Sequence, residues 1–432
     1  MSADFDVVIV GGGPAGVIAL AYARMAGLDA ILLEKRDVVG GLWSQLPSWQ
    51  DIQNRDVDWT LGDIPISGVQ QPSILANIQH WVGKFGLAGH IRLGTEVLAA
   101  KPSDGGWEIE TPPRLIRSKV LISATGVHNR PRMPSIARRA PEISEFHSST
   151  FREPATLRGR NVVVVGGGAS AFDLLDLAIE HGAARIAWVY RSLKWAVPTR
   201  KSKQLTSNLR NVARMEMQIG SLRQISAALD ADLRERYRKF GVVDLLPDAP
   251  FDIARDQLIP GRWRMIAGLA AIDRHRDEPV AIDRRSLVLK SGKRIDADIL
   301  LWGTGYRLDL SYLASIGLDQ VKHPDQLAAR CGSLVMSLDA PNLFFLSVGL
   351  EGTGATPWLY AHLARSIVSH VRGTAALSRE PVLQHPNYFG VANFLARLDP
   401  ASYPADGWRK EYLALVTEHP DDRPLPIPAV DA

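Results

Sequence analysis

Two glycine-rich turns of one design, each set between a β-branched run and a helix of small apolar residues, constrain this chain more than any other feature. Phe5 to Val10 (FDVVIV) is a short apolar run typical of a strand buried on both faces. Gly11, Gly12, Gly13 and Pro14 form the turn, Ala15 to Ala26 has apolar residues at helical spacing, and Gly27 ends that helix. Ala30 to Leu33 (AILL) reads as a second strand, followed at once by Glu34. The same series returns in mid-chain: strand Asn161 to Val165 (NVVVV), turn Gly166–Gly168, helix Ala169 to His181 stopped by Gly182, strand Arg185 to Tyr190 (RIAWVY), then Arg191. Strand, crossover helix and strand in this order build a parallel sheet.

Each turn carries phosphate-binding chemistry. In Gly11-x-Gly13-x-x-Gly16, the first glycine permits the tight turn and the second lets the backbone approach a pyrophosphate. The third allows close helix–strand packing, and Pro14 and Ala15 open a helix whose N-terminus holds the phosphate charge. Glu34, eighteen residues after Gly16, can accept hydrogen bonds from a ribose hydroxyl pair, and Lys35 stands beside it. A glycine-rich turn without a ligand is the alternative; strand, turn, helix and acid in register argue against it.

The second turn reads Gly166-x-Gly168-x-x-Ala171, with alanine permitted at the packing position and Ala169 and Ser170 in the first helical turn. Arg191 follows its second strand, Lys194 lies close behind, and no acid stands there in the sequence. A carboxylate would repel a 2′-phosphate, whereas a guanidinium grips it with two hydrogen bonds. The pattern therefore points to NADPH rather than NADH, against the alternative of a solvated surface charge. The first site points to FAD, because Glu34 is followed by Gly40-Gly41-Leu42-Trp43. The expected fold is α/β, with two Rossmann-like dinucleotide-binding domains and the NADPH domain inserted into the FAD domain. The boundaries read as 1–156 and 297–432 for FAD, with 157–296 for NADPH and a helical insertion.

Composition narrows the function classes. The 432 residues hold 50 Lys plus Arg against 46 Asp plus Glu, and so small an excess is weak evidence for a nucleic-acid partner. The single cysteine, Cys331, excludes an internal disulfide, a Cys-x-x-Cys redox pair and a cysteine-rich metal site. It fits a reducing, cytoplasmic setting. His80, His90, His362 and His370 show no metal-ligand spacing, so no metal is expected. Val7 to Ala23 carries no charge, but three glycines and Pro14 interrupt it and Asp4 and Asp6 precede it, against a membrane span or signal sequence. The oligomeric state is left open.

Between the two units, Ile91 to Val97 and Trp107 to Glu110 read as hairpin strands around Asp104-Gly105-Gly106. Lys119 to Ser123 runs into Ala124-Thr125-Gly126, and Ile299 to Trp302 runs into Gly303-Thr304-Gly305-Tyr306. Residues 200–280 look mainly helical, and the proline-containing tail from Asp421 looks extended or disordered.

These pieces together resemble the class B flavoprotein monooxygenases, the flavin-containing and Baeyer–Villiger enzymes. The matching segments are GGGPAG at 11–16, EKRDVVGGLW at 34–43, ATGVHNRPRMP at 124–134, HSSTFR at 147–152, GGGASA at 166–171 and WGTGY at 302–306. Pro141 and Ile143 replace the Phe and Gly that usually begin the signature around His147. The resemblance implies that Gly41, Leu42 and Trp43 lie by the FAD ribityl and isoalloxazine, and Val97 is placed with the FAD residues. It further implies that Ala124, Thr125 and Gly126 pass near the flavin and that Gly303, Thr304 and Gly305 mark the return crossing. His147 falls in a linker that couples domain movement to NADPH binding, and a structural role is favoured over acid–base chemistry. Gln53 takes the place of a flavin-proximal asparagine and is the candidate catalytic amide; Trp49 and Trp59 could line a pocket or pack a core. The implied activity is NADPH-driven transfer of one oxygen atom from O2, through a C4a-(hydro)peroxyflavin, to a small organic substrate. The alternative is a flavin reductase or oxidase that passes electrons to quinone, ferredoxin or O2.

Overall fold

A computed structural model describes residues 3–51, 68–198, 222–252, 256, 259–332, 335–346, 357–374, 376–377 and 379. The chain forms two compact units, Met1–Asn129 with Arg307–Ala432, and Arg130–Tyr306.

In the first unit, strand β1 (Phe5–Val10), helix α1 (Pro14–Met25) and strand β2 (Ala30–Leu33) form the expected crossover, with Val7 opposite Ala30 and Val10 opposite Leu33 in parallel register. Pro14 occupies the start of α1, where its missing N–H costs no helical hydrogen bond. Gly27, at φ +77°, closes the helix in a conformation that side chains disfavour. Ala15 through Ala23 are all buried, so α1 is enclosed on every side rather than along one stripe. Helix α2 (Gln71–Lys84) shows the other pattern, burying Ile74, Ile78 and Trp81 at helical spacing. Strand β3 (Ile91–Arg92) extends the sheet beside β2.

A hairpin of β4 (Ala99–Ser103) and β5 (Gly106–Thr111) leads into β6 (Arg114–Ser123), which pairs with β1 in parallel. The hairpin's first strand is therefore Ala99–Ser103, not Ile91–Val97. Gly94, at φ +61°, turns the chain after Arg92, so the apolar run splits between two partners. Leu343–Phe345 adds a further parallel strand beside β6. Val8, Leu33, Trp107, Leu121, Leu343 and Phe345 form the centre of this unit's core. Each large side chain so enclosed contributes about 1.5–3 kcal/mol, as an upper estimate.

The second unit holds β7 (Ala137–Arg139), β8 (Ser144–His147), β9 (Asn161–Val165), α3 (Ala169–Glu180) and β10 (Arg185–Tyr190). Next come α4 (Leu222–Phe240), α5 (Trp263–Ala267), β11 (Ile272–Arg276), β12 (Pro279–Asp283), β13 (Ser286–Leu289), β14 (Arg294–Asp296) and β15 (Ile299–Trp302). Its main sheet is parallel, in the order β11-β10-β9-β15-β8. A second sheet runs β14-β13-β12-β7. The unit is wider than the 157–296 read from the sequence, because β8 and β15 complete the sheet centred on β9. The stretch 200–280 holds the helix α4, but Ile272–Arg276 is a strand paired with β10. Residues 199–221 and the tail from Asp421 lie outside the described residues.

Buried acids tie α3 to α5. Asp173 receives the Arg262 Nε–H at 2.5 Å, and Asp176 accepts from Arg264 Nη1 at 3.1 Å and from the Met265 amide at 2.9 Å. Carboxylates this enclosed are tolerable because each is met by a cation and hydrogen bonds. Among the described residues, no helix is long and apolar enough to cross a membrane.

Candidate dinucleotide sites

The two glycine turns are built alike down to single hydrogen bonds. In the first, the Gly11 amide donates to Leu33 O at 2.9 Å and the Ala124 amide to Val10 O at 2.8 Å. In the second, the Gly166 amide donates to Val189 O at 2.9 Å and the Gly303 amide to Val165 O at 2.8 Å. Gly11 has φ +109° and Gly166 φ +136°, and a Cβ on either would strike the neighbouring crossing segment. On Gly11 it would stand 2.6 Å from Ala124 O, and on Gly166 2.2 Å from Gly303 O. The segments Ala124–Gly126 and Gly303–Gly305 thus each close over one glycine turn, within their own unit.

The glycines further along serve different ends. A Cβ on Gly16 would stand 1.9 Å from Gly11 O, so that position is filled by backbone. A Cβ on Gly13 would meet Gly41 Cα at 3.7 Å, and one on Gly168 only Lys194 Cγ at 3.9 Å. Gly13 and Gly168 cap α1 and α3, so the backbone at both helix N-termini lies open to an approaching group. Open backbone at a helix N-terminus is what a pyrophosphate requires, and both turns fit a dinucleotide. Ala15 and Gly16 are buried in α1; Ala169, Ser170 and Ala171 form the first turn of α3.

Glu34 is 2% exposed and held from two sides. Its Oε2 accepts the Gly12 amide at 2.6 Å and its Oε1 the Arg36 amide at 2.9 Å. Each oxygen keeps a second lone pair for a ribose hydroxyl. Lys35 is exposed, and it is Arg36 whose guanidinium comes within 3.5 Å of Glu34. Gly41, Leu42 and Trp43 form a short 3-10 turn anchored by the Gly40 amide on Gly12 O at 2.7 Å. Val97 packs against the first unit's core. Gln53 and Trp59 lie outside the described residues.

At the second turn, Arg191 and Lys194 are exposed beyond the end of β10, and the Lys194 amide donates to Gly167 O at 2.9 Å. The sequence shows no acid beside Arg191, but the fold brings one. Glu278 Oε1 lies 3.9 Å from Arg191 Nη1. Arg276 was also missed; its Nε donates to Arg191 O at 3.3 Å and it pairs with Asp248. Only the register of β10 with β11 places these residues, since Arg276 stands opposite Tyr190.

His147 is buried at the end of β8. Its Nδ1 accepts the Ser149 amide at 3.2 Å and lies 2.9 Å from Ser149 Oγ, and its Nε2 stands 3.0 Å from Gly305 O. With Nδ1 accepting, the ring proton resides on Nε2 and is donated to Gly305. Burial holds the imidazole below its ordinary value, against an opposing pull from the Gly305 hydrogen bond. Gly305 O also accepts the Arg132 amide at 2.9 Å, and Thr304 Oγ donates to Arg132 O. Cys331 is buried and its thiol is pushed up to about 12 by burial. Among the described residues, no cluster of His, Cys, Asp and Glu could hold a metal ion.

Known proteins resemble this chain over part of its length. A Baeyer–Villiger monooxygenase of Streptomyces coelicolor is 29% identical over 208 residues, 44% of this chain and 39% of that protein. A ferredoxin–NADP reductase of Acidiphilium cryptum is 31% identical over 206 residues, 46% of this chain and 57% of that one. The chain thus spans roughly two fifths to three fifths of the length of these relatives. The solved structure of OTEMO in complex with FAD and NADP superposes with a TM-score of 0.66 at 18% identity, over 87% of this chain and 85% of that one, and shares the fold. The signature of the family described as Pyridine nucleotide-disulphide oxidoreductase matches residues 8–238, more than half of the 432, and the chain belongs to that family.

Proposed function

We propose that this chain is an FAD- and NADPH-dependent monooxygenase that inserts one oxygen atom of O2 into a small organic substrate. Nitrogen or sulfur oxygenation and Baeyer–Villiger oxidation both fit. The observation that carries the reading is the contrast between the two turns. The first ends at a buried carboxylate, Glu34, suited to the ribose of FAD; the second ends at exposed cations, Arg191 and Lys194, suited to a 2′-phosphate. Two dinucleotide sites of different preference in one chain suit hydride transfer from NADPH to flavin. Lone Cys331, buried and with its thiol raised to about 12, leaves no dithiol to receive those electrons.

The bound flavin supplies the hydride-accepting and oxygen-activating chemistry. The chain's own residues position it: Gly13 and Gly168 admit the pyrophosphates, Glu34 orients a ribose, and Gly41 to Trp43 border the first turn. Gln53 is proposed as an amide that would hydrogen-bond at the flavin, and Gln53→Ala is expected to raise hydrogen peroxide released per NADPH consumed while leaving flavin reduction nearly intact. A second reading, electron transfer to ferredoxin, is supported by the likeness to the Acidiphilium reductase.

Labelled oxygen decides between them. The purified protein is expected to release noncovalent FAD on denaturation, to be reduced faster by NADPH than by NADH, and to place one 18O atom in product from a panel of amines, sulfides and ketones. NADPH-dependent reduction of ferredoxin with no labelled product would establish the reductase instead.

A further inference from the structure

Resting on the NADPH reading, we infer that Arg276 is a second arginine for the coenzyme's 2′-phosphate beside Arg191, and that Glu278 and Asp248 are the counter-ions this phosphate displaces. Strands β10 and β11 run parallel with Tyr190 opposite Arg276. Arg191 and Arg276 therefore emerge side by side at the carboxyl ends of neighbouring strands, where open α/β sheets receive their ligands. The hydrogen bond from Arg276 Nε to Arg191 O at 3.3 Å fixes one guanidinium to the backbone of the other.

A guanidinium has five N–H donors. Arg276 directs one to Arg191 O and pairs with Asp248 through a terminal nitrogen, which leaves donors for a phosphate. Its side chain is 57% exposed and borders an open hollow of about 630 Å³ with Tyr190 and Arg274, whose lining also includes Asp244 and Asp273. There is room beside it for a ligand group.

Arg191 alone is poorly placed to select a dianion. Glu278 lies 3.9 Å from its guanidinium, and a carboxylate that close opposes its attraction for an anion. With Arg276 added, two guanidinium groups face the phosphate. Both existing ion pairs are exposed and contribute little stability, so a phosphate that accepts forked hydrogen bonds from two arginines replaces them at small cost. Glu278 also has Lys290 at 3.9 Å to receive it once displaced.

The test is calorimetric titration of the FAD-loaded full chain with adenosine 2′,5′-bisphosphate and adenosine 5′-monophosphate, which differ in the 2′-phosphate. The unmutated protein is expected to bind the bisphosphate at least about tenfold more tightly. Arg276→Ala should weaken the bisphosphate about tenfold and the monophosphate less than twofold, Arg276→Lys should restore part of the loss, and Glu278→Gln should tighten the bisphosphate. An Arg276→Ala protein that melts as the unmutated one does and binds both nucleotides unchanged overturns the role of Arg276. Unchanged or weaker binding in Glu278→Gln overturns the counter-ion role. If the unmutated protein itself fails to distinguish the two nucleotides, the NADPH reading falls, and this inference with it.

Discussion

His147 Nε2 lies 3.0 Å from the carbonyl oxygen of Gly305, a residue 158 positions further along the chain. Gly305 is two residues past Gly303, whose carbonyl closes over the Gly166 turn. His147 thus holds the segment against which the second glycine turn is built. With Nδ1 engaged by Ser149 and Nε2 by Gly305, both ring nitrogens have partners within the protein, an arrangement that suits a positioning role.

His147→Ala should destabilise the protein by about 1–3 kcal/mol, since it leaves the Gly305 carbonyl without one of its donors. The same contact gives a pH signature. Burial holds the folded imidazole below the unfolded value of about 6.5. The unfolded chain therefore takes up its proton first as pH falls. The stability from neutral His147 is fully present above about pH 6.5 and is lost as pH drops toward the lower folded value. Chemical denaturation of the unmutated protein and His147→Gln between pH 7.5 and 5 should show this decline only in the former.

The glycines of the two turns should separate folding from binding. Gly16→Ala forces a methyl to within 1.9 Å of Gly11 O and should cost about 3 kcal/mol or more, seen as a lowered melting temperature with loss of FAD. Gly168→Ala meets nothing closer than Lys194 Cγ at 3.9 Å. Its melting temperature should be unchanged while the KM for NADPH rises, because the methyl occupies the space a pyrophosphate needs.

Glu34→Gln should lower both stability and FAD affinity. The carboxylate accepts from two backbone amides, Gly12 and Arg36, and a carboxamide replaces one acceptor by a donor facing an N–H. The loss should be about 1.5–3 kcal/mol in a melt of the FAD-free protein, with a further fall in FAD affinity measured by fluorescence titration. An unchanged FAD affinity would remove Glu34 from the ribose site and leave it as a brace for the turn.

Cys331 should resist alkylation in the folded protein. Burial excludes reagent, and a thiol raised to about 12 is scarcely ionised at pH 8. Mass spectrometry after iodoacetamide should find it unmodified under native conditions and modified once denatured. Cys331→Ser should leave NADPH oxidation intact.

The two strand–turn–helix units were legible in the sequence because their causes are local. A turn that needs φ beyond +100° at Gly11 and Gly166 must carry glycine, and β-branched runs such as Val162–Val165 have no better use than a doubly buried strand. The acid after β2 and the cation after β10 follow from the same spacing. The segments that close over those turns, Ala124–Gly126 and Gly303–Gly305, could be singled out only through the family resemblance, and local physics does not give their contacts. Ala124 meets Gly11, and Gly303 meets Gly166, only because β6 and β15 arrive beside β1 and β9 in one particular register. Glu278 and Arg276 reach Arg191 through the pairing of β11 with β10, about eighty-five residues away in sequence. Gly94 ended an apolar run that alternation alone would continue, and so moved the hairpin to Ala99–Ser103. Backbone sterics and burial act within a few residues and can be read from the chain as written. The charge balance around a phosphate depends on which strands become neighbours, and that is decided only when the sheet assembles.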